Sequence, residues 1–545
     1  MNEYRFFQGF HVLRLAGTDA EMGYQHGRLL ADAIQRGPVP YFRDYLPRML
    51  QPSLGRQGSQ FLAGMLQASV GSQLIQRFPP HLRAHLAGLA EGCGLPLNDI
   101  LRAFVLPDLF LWLVSLSNRV RQPGPAPLVP LLGCSSAIAQ AAASAEGTLL
   151  HGRNLDYMGV GYWDAEPAIL FYTPDQGLPY VSVSSAGIPF GGITAMNTAG
   201  LTLAVHQHLS CLNVRRGGVP VGVAGDEVMR KAESLEDAVR ILDAHPPTAC
   251  WTYLIASANE GALLCYETSG ATTRHFITDA PVFGYTNFYH DPELAACETH
   301  LYPSQWRSNL GRYQTICQSL QADQGALTAN HIARVLGHAD GACRLARPLA
   351  MLYTVSSAVF VPARGLVYAA GGPAPVSQRP YWAFDLNTQA PREELEPLSG
   401  GVADARADEA FGYYRRAYTT WFQQQDSPKA LQFLEKACEL QPREPLYAYV
   451  AALTAIDARL PEQAIHWLNK ALSLGHPDPE RVASFHLWRG RAYDLAGMRK
   501  AARADYAEAG SGKADQLVSR SATEGQSRPW RWRRLALEFN YAEAM

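Results

Sequence analysis

A glycine–cysteine pair, Gly133-Cys134, follows a proline-rich segment and begins a strand-like run of residues, CSSAIAQ. If the bond between the two residues were cut, Cys134 would carry a thiol and a free α-amino group. These groups titrate at about 8.5 and about 7.7–8.0, so the amine can accept the thiol proton near neutral pH. The pair alone carries no signal, but its position after the proline-rich segment and at the start of a strand makes Cys134 a candidate thiol nucleophile with its own α-amine as base. The alternative is a buried structural cysteine.

Two charged residues, Arg153 and Asp156, lie in the next strand-like segment, HGRNLD at 151–156. Antiparallel pairing of the two strands would bring both side chains back to the start of the first strand. The aspartate could then orient the α-ammonium group, and the arginine could lower the pKa of the thiol. The alternative for these two residues is a structural ion pair at the end of a strand.

Histidines could also supply a metal site or a general base, and the candidates are His151, His206, His208 and His290. An N-terminal nucleophile needs neither, so we predict that these side chains are ordinary polar groups of the core. The stretch HADGAC at 338–343 lacks the spaced ligand pairs of a zinc site. The nine cysteines include no CxxC pair, and their odd number argues against a complete disulfide framework. The sequence therefore predicts no metal and no cofactor.

Composition places the 545-residue chain among ordinary soluble proteins of more than one domain, because 47% of the residues are hydrophobic and 18% are charged. The net charge of −2 gives no field that would favour nucleic acid or an anionic membrane. The N-terminus lacks the pattern of a secretory signal, and the apolar stretch near 104–115 is interrupted by Pro107 and Asp108. We therefore predict a cytoplasmic protein without a membrane span and without a nucleic-acid partner.

The secondary structure predicted before Cys134 differs from that predicted after it, and both parts must position this residue. Before the proline-rich linker at 121–130, the pattern predicts a strand at 9–16, a helix at 17–50 and further helix to about residue 118. After Cys134, short strand-like runs alternate with turns, and helices are predicted at 226–243, 304–320 and 328–337. Strands return at 352–361 and 365–370. Two blocks of antiparallel strands with helices between them predict an α+β fold in which helices enclose the sheets.

The last part of the chain reads as helix and contains a repeat. The segment SPKALQFLEKACEL at 427–440 matches PEQAIHWLNKALSL at 461–474 with an offset of 34 residues. A third copy carries Ala502, Tyr506 and Ala509, preceded by Gly490 and Tyr493. This period and these small and bulky positions resemble tetratricopeptide repeats. The alternative is an irregular helical bundle. For the Trp/Arg cluster at 530–534, a tail that packs back on the repeats is favoured over a nucleic-acid surface.

Seven motifs in order resemble the peptidase C45 family, the acyl-coenzyme A:6-aminopenicillanic acid acyltransferase-like proteins, over roughly residues 9–383. Bile-salt hydrolases, penicillin V acylases and acid ceramidase are relatives of this family. The motifs are LAGTDAEMGYQHG (15–27), GC (133–134), GRNLD (152–156), MNTAGL (196–201), YTN (285–287), SNLGR (308–312) and TVSSAVFVPARGLVYAAGG (354–372).

The resemblance implies an N-terminal-nucleophile hydrolase fold, an αββα sandwich, and a role for each matching residue. Asn287 would help to form the oxyanion hole, and Arg312 would belong to a helical Ser/Arg element. Bile-salt-hydrolase-like relatives have a second asparagine where this chain has Gln207, so Gln207 is the candidate for the second oxyanion donor.

We therefore predict three segments: a pro-region at 1–133, the rest of the hydrolase domain at 134–398, and tetratricopeptide-like repeats with a tail at 405–545. The predicted function is a zymogen that cuts itself and then cleaves or transfers the acyl group of a small amide or thioester through an acyl-Cys134 intermediate. Two alternatives remain at this stage. One is a biosynthetic acyltransferase that docks on a carrier or pathway protein through its repeats, and the other is a non-catalytic repeat scaffold.

Overall fold

The computed structural model describes most of the chain. The described residues are 3–120, 133–189, 191–209, 213–215, 217–298, 303–339, 349–401, 404–511 and 516–532. The proline-rich linker predicted at 121–130, most of the stretch 338–343 and the apolar C-terminal residues from 535 lie outside them.

Two large sheets form the centre of the fold. The nine-stranded sheet has the order β1-β2-β5-β6-β7-β8-β9-β10-β11, and the other sheet has the order β12-β3-β4-β13-β14-β15-β16, with β17 also paired to β15. The strands are β1 Tyr4–Phe7, β2 Phe10–Gly17, β3 Gly133–Ala139, β4 Leu150–Asp156, β5 Pro167–Pro174, β6 Tyr180–Ser185, β7 Thr194–Asn197, β8 Leu201–Gln207, β9 Cys250–Ser257, β10 Ala262–Ser269, β11 Thr273–Thr278, β12 Val282–Tyr285, β13 Thr354–Val361, β14 Leu366–Ala370, β15 Pro380–Asp385, β16 Ala390–Pro391 and β17 Leu398–Ser399.

The prediction of purely antiparallel strands was wrong for one pair, because β2 and β5 run parallel. Parallel neighbours need a long crossover, and the chain supplies one: between β2 and β5 come the helices that precede the junction and the hairpin of β3 and β4. A strand from before the junction thus belongs to a sheet built mostly from residues after it.

Helices precede, interrupt and follow the strands. They are α1 Asp19–Leu29, α2 Ala31–Arg36, α3 Pro38–Leu66, α4 Ser72–Ile75, α5 Pro80–Cys93, α6 Leu97–Val120, α7 Val221–Lys231, α8 Leu235–Ala244, α9 Pro292–Ala295, α10 Pro303–Ala322, α11 Ala329–Leu336, α12 Ala405–Thr419, α13 Ser427–Leu440, α14 Pro445–Asp457, α15 Pro461–Leu474, α16 Pro479–Leu495, α17 Arg499–Ala509 and α18 Gln516–Ser527.

Two of the predicted helices are divided in the structure. The segment 17–50 contains α1, α2 and the start of α3, because the chain leaves helical geometry at Leu30 and at Gly37. The segment 226–243 contains α7 and α8, separated at Ser234, whose backbone is extended. The Ser234 side chain accepts a hydrogen bond from the backbone N–H of Asp237, so it caps a new helix and does not lie inside one.

The two sheets face each other across an apolar core, and helices cover their outer faces. Phe171 of one sheet and Phe360 and Phe384 of the other are buried in the same cluster between the sheets. Helices α10 and α11 pack on the eight-stranded sheet, while α1, α7 and α8 pack on the nine-stranded sheet. This α+β arrangement is consistent with the predicted αββα sandwich.

The C-terminal helices α12 to α18 form a series in which each helix packs against the next. The two matching segments of the sequence coincide with α13 and α15. Packing explains why residue 490 of α16 is a glycine, because a Cβ atom there would lie 2.8 Å from the ring of Tyr506 in α17. Trp530 is buried and packs edge-on against Trp488, so this part of the tail lies against the helices.

This helical region contacts the sandwich through aromatic side chains. Phe422, just after α12, stacks on Tyr45 with a centroid distance of 5.7 Å and lies 6.0 Å from Tyr41. Tyr418 of α12 meets Tyr353 edge to face at 5.1 Å. Residues from both sides of the junction therefore contribute to the surface on which α12 lies.

Candidate active site

Cys134 is the second residue of β3, which lies between β12 and β4 in the eight-stranded sheet. Antiparallel pairing of β3 with β4 sets Gly133 opposite Asp156 and Ser136 opposite Arg153. The hairpin predicted from the sequence thus brings Arg153 and Asp156 to the start of β3. The Cys134 side chain is only 3% exposed.

The backbone of Cys134 is held on both sides. Its nitrogen donates to Oδ1 of Asn287 at 2.7 Å, and its carbonyl oxygen accepts from Nη1 of Arg312 at 2.8 Å. Nη2 of Arg312 also donates to Oδ1 of Asn287 at 3.0 Å and to Oδ1 of Asn309 at 2.7 Å. Arg312 therefore fixes the start of β3 and the asparagine that faces it, from a position 178 residues away.

The thiol of Cys134 has one cationic neighbour in contact, because Nη2 of Arg153 lies 3.5 Å from Sγ. Arg153 is itself held by the side chain of Thr194 and by the carbonyl oxygen of Val205. In the uncut chain, burial raises the pKa of the Cys134 thiol, and the charge of Arg153 offsets only part of this effect. The thiol therefore needs a base before it can react as a thiolate near neutral pH.

Asp156 is completely buried and keeps one oxygen without a hydrogen bond. Its Oδ1 accepts from the hydroxyl of Thr354 at 2.5 Å, whereas Oδ2 has no hydrogen-bond donor in the described part of the chain and lies 4.0 Å from Nη1 of Arg312. Burial raises the pKa of this carboxyl, while Arg312 and Thr354 act in the opposite direction. Oδ2 is thus a buried acceptor beside Gly133 that can receive a further hydrogen bond.

Gly133 has a steric reason to be glycine. A Cβ atom on this residue would lie 3.1 Å from Oδ2 of Asp156 and 3.1 Å from Nη2 of Arg312. The two charged groups therefore lie so close to the backbone of Gly133 that a larger side chain would crowd them.

Asn287 and Gln207 are neighbours in the structure. Nδ2 of Asn287 donates to the backbone carbonyl of Gln207 at 2.8 Å. An amide nitrogen carries two N–H donors, so Asn287 retains a second one. The Gln207 side chain is 3% exposed, lines the cavity beside Cys134, and has no hydrogen-bond partner for Oε1 or Nε2 among the described residues.

The histidines near this site have other partners. Nε2 of His206 lies 2.9 Å from the hydroxyl of Ser136, and Nε2 of His208 lies 2.7 Å from the hydroxyl of Thr252. Burial lowers the pKa of His206 well below its usual range. Within the described ranges, no group of three or more His, Cys, Asp or Glu side chains could hold a metal ion.

The Cys134 side chain opens on an apolar cavity of about 70 Å³. Most of its helical wall comes from residues before the junction, on α3 and α6. These are Val39, Phe42, Ile100, Ala103, Phe104 and Pro107. The segment that precedes Cys134 therefore forms part of the cavity wall, which the sequence did not predict.

Several side chains of the site received no role from the sequence. Thr354 holds Asp156, Asn309 holds Arg312, and Ser135 accepts from Nη1 of Arg312 at 2.8 Å. Asn309 and Arg312 are three positions apart on one helix, the spacing of neighbouring side chains, and this signal could have linked them. Tyr157 and Trp163 also line the cavity, but no sequence pattern distinguished them.

This chain is similar to known proteins in three respects. Residues 143–341 match the model of the family described as acyl-coenzyme A:6-aminopenicillanic acid acyl-transferase. An uncharacterized protein of Archaeoglobus fulgidus is 24% identical over 265 residues, which cover 45% of this chain and 41% of that protein. This chain thus spans about two-fifths of the length of that curated relative.

The third similarity is to a solved structure, the N-terminal domain of stress-induced protein-1 from C. elegans. It shares 19% identity over 23% of this chain and 99% of that chain, and the TM-score of 0.21 is too low to support a structural argument. As a separate finding, no helix within the described residues is long and apolar enough to cross a membrane.

The family match begins after Cys134 and includes Arg153, Asp156, Gln207 and Asn287, together with the helix that carries the arginine of the SNLGR motif. It agrees with the resemblance that the sequence motifs indicated. Over residues 143–341, this chain is thus similar to the acyl-coenzyme A:6-aminopenicillanic acid acyl-transferase family, peptidase family C45.

Proposed function

We propose that this chain is a self-processing cysteine enzyme of the N-terminal-nucleophile class, with Cys134 as its nucleophile. The family match supports an enzyme of the acyltransferase or hydrolase type. The observation that carries the proposal is the set of groups around a single residue. Arg153 contacts the thiol of Cys134, and Asn287 accepts from its nitrogen. A structural cysteine needs no such partners on both atoms.

Self-cleavage would proceed in two steps. Sγ of Cys134 attacks the carbonyl carbon of Gly133, the C–N bond breaks, and the thiol proton passes to the nitrogen of Cys134. Water then hydrolyses the thioester, which leaves a carboxylate on Gly133 and restores the thiol. The products are residues 1–133 and 134–545. They would remain associated, because β2 pairs with β5 and the cavity takes its walls from both.

Turnover would use the amine that cleavage creates. The α-amine takes the thiol proton, the thiolate attacks the carbonyl carbon of the substrate, and the α-ammonium returns the proton to the leaving amine. Asp156 would orient the α-ammonium through Oδ2. Asn287 and Gln207 would donate hydrogen bonds to the oxyanion, a contribution of about 3 kcal/mol for one donor. The acyl group then remains on Sγ until water or an acceptor amine removes it.

Hydrolysis and acyl transfer differ only in what attacks the acyl-enzyme, so product analysis distinguishes them. We expect an acyl p-nitroanilide with a short apolar acyl group to leave an acyl adduct on the peptide that begins with Cys134. Mass spectrometry of the quenched reaction locates the adduct, and the products with and without an added primary amine show which acceptor is used. The exposed Cys297 is the internal control. Equal labelling of Cys297 and Cys134 would mean nonspecific acylation and would contradict the proposal.

We further propose that residues 405–545 are tetratricopeptide-like repeats that bind a protein partner and take no part in the chemistry. Residues 1–133 and 134–398 would together form the catalytic unit. Among the described residues that line the cavity, none lies beyond Trp251. The rival hypothesis is that the repeats shape the acyl cavity. One observation supports it: Phe422 of the helical region contacts Tyr41, and the next residue, Phe42, lines the cavity.

Two truncations separate these alternatives. A chain that ends after Gln425 keeps α12 and the Phe422 contacts, and we expect it to hydrolyse the same small amide at the wild-type rate. A chain that ends at residue 400 exposes Tyr41, Tyr45 and Tyr353, and we expect it to be less stable. Thermal unfolding and initial rates provide the measurements. If the chain that ends after Gln425 folds and cuts itself but loses turnover, the repeats belong to the active site.

A non-catalytic scaffold remains the alternative from another functional class. It requires a chain that stays uncut and whose Cys134 does not react with acyl donors. The acylation experiment above tests this alternative at the same time.

A further inference from the structure

Two side chains that line the apolar cavity beside Cys134 carry buried hydrogen-bond donors that have no role in the proposed chemistry. They are the hydroxyl of Tyr157 and Nε1 of Trp163, on side chains that are 8% and 5% exposed. Neither atom has a hydrogen-bond partner within the described part of the chain. Buried tyrosine hydroxyls and tryptophan N–H groups usually have a partner, because leaving them without one costs free energy.

The two groups belong to one wall of the cavity. The ring of Phe42 lies 6.0 Å from that of Tyr157 and 6.2 Å from that of Trp163, and Phe42 itself lines the cavity. Tyr157 follows Asp156 directly, two residues beyond Leu155, which is opposite Cys134 in the sheet. Both side chains therefore line the same cavity as Cys134, which would receive the acyl group on Sγ.

Neighbouring aromatic residues show the usual arrangement. Nε1 of Trp251, which also lines the cavity, donates to Oδ1 of Asp108 at 3.0 Å. The hydroxyl of Tyr253 donates to the carbonyl oxygen of Val221 at 3.0 Å. Protein acceptors thus satisfy the aromatic donors on that side, whereas the donors of Tyr157 and Trp163 remain available to a ligand.

The chemistry of these donors limits the group that they could bind. Tryptophan N–H can only donate, and burial raises the pKa of Tyr157 well above its usual range, so its hydroxyl keeps its proton. Arg153 is the only charged side chain among the described residues of the cavity, and it already contacts Cys134, Thr194 and Val205. A buried carboxylate would have to share this one cation with the thiol of Cys134. A neutral carbonyl oxygen, with two lone pairs, can accept from both donors.

We propose that Tyr157 and Trp163 bind a second carbonyl oxygen within the acyl group, so that the preferred substrate carries an apolar acyl chain interrupted by one oxo or amide carbonyl. This inference rests on the proposed function, because it assumes that the cavity receives the acyl group of the Cys134 thioester. It adds the substrate class, which the nucleophile and its neighbours leave open.

Binding to the Cys134→Ala chain tests this proposal without depending on turnover. The probes are acyl anilides of one chain length: a plain alkyl chain and a series in which a carbonyl replaces one methylene at successive positions. Calorimetry should find one oxo isomer that binds about tenfold more tightly than the plain chain, the effect of about one hydrogen bond. Adding Tyr157→Phe should lower this ratio, because it leaves Trp163 as the one remaining donor. Trp163→Phe should also reduce the ratio, and it replaces Tyr157→Phe as the test if that variant does not fold.

The matched control is Tyr253→Phe, which removes a hydroxyl that is bonded to Val221 and does not line the cavity. It should leave the ratio unchanged. Failure of every probe to bind, equal affinity for all of them, or a preference that stays undiminished in both the Tyr157→Phe and the Trp163→Phe variants would overturn the proposal. Cleavage of the plain anilide by the wild-type chain is measured in a separate assay, which tests the proposed function. A chain that cleaves it but shows no oxo preference keeps the proposed function and loses this inference.

Discussion

Cys134→Ala should abolish acyl turnover and leave the fold intact. The substitution removes Sγ, the only atom of the site that is proposed to form a covalent bond with the acyl group. The side chain is small and almost fully buried, so its loss should cost no more than about 1–2 kcal/mol of the free energy of unfolding. Initial rates on a confirmed amide substrate and a thermal unfolding curve provide the two measurements.

A second cysteine variant separates loss of the nucleophile from loss of any thiol. Cys297 is exposed, and the site described above does not use it, so Cys297→Ala should retain the wild-type rate. Near wild-type turnover by Cys134→Ala would assign the chemistry to another residue. An equal loss of rate in both variants would show that the effect is not specific to Cys134.

Asn287→Ala should lower kcat by about 10²–10³, the range for removal of one oxyanion donor, or about 2.7–4 kcal/mol of transition-state stabilisation. The reason is geometric. Oδ1 of Asn287 accepts from the nitrogen of Cys134, and Nδ2 keeps one N–H after donating to Gln207. The oxyanion that forms on the carbonyl oxygen of the substrate when Sγ attacks its carbon would therefore develop close to this donor. The effect on KM should be smaller, since the donor acts mainly on the transition state.

Asn287→Asp distinguishes the two functions of this side chain. The aspartate keeps an acceptor for the nitrogen of Cys134 and for Arg312 but has no N–H to donate. If the oxyanion role dominates, the Asp variant should be as slow as the Ala variant. Retention of most of kcat by the Asp variant would reduce Asn287 to a positioning role, and a change in KM alone would assign it to substrate binding.

The strand pattern of the sequence accounts for the local part of the site, whereas the residues of its long-range part were proposed only from the family resemblance. Cys134 and Asp156 are joined by one hairpin, so the strand pattern and the direction of pairing suffice to bring them together. Arg312 could be proposed only from the family resemblance. Its contact with Cys134 spans 178 residues, and no periodicity within a helix indicates which distant strand the helix will cover.

The alternation of side chains along a strand separates Gln207 from the two histidines beside it. His206 and His208 flank it, and residues one apart in a strand face opposite sides of the sheet. His206 reaches Ser136 of the other sheet, whereas the Gln207 side chain lies at the cavity. The period of two could have separated these residues. It could not have shown that the cavity wall is formed by α3 and α6, because those contacts depend on tertiary packing.

The helix boundaries show the same division between local and long-range information. The repeated segments coincide with α13 and α15 because each carries its own spacing of small and apolar residues. The single helix predicted for 17–50 is three helices, since its apolar positions continue past Gly37 although the backbone turns there. The parallel pairing of β2 with β5 joins segments on either side of the junction, and no local pattern specifies it.

The intact mass of the purified wild-type chain tests the central proposal most directly. If Cys134 is an N-terminal nucleophile, the spectrum should show two chains, residues 1–133 and 134–545, and N-terminal sequencing of the larger chain should begin Cys-Ser-Ser-Ala. Cys134→Ala should give one uncut chain in the same spectrum. A wild-type chain that stays intact while it turns over substrate, or a Cys134→Ala chain that is cut as efficiently as the wild type, would contradict the account.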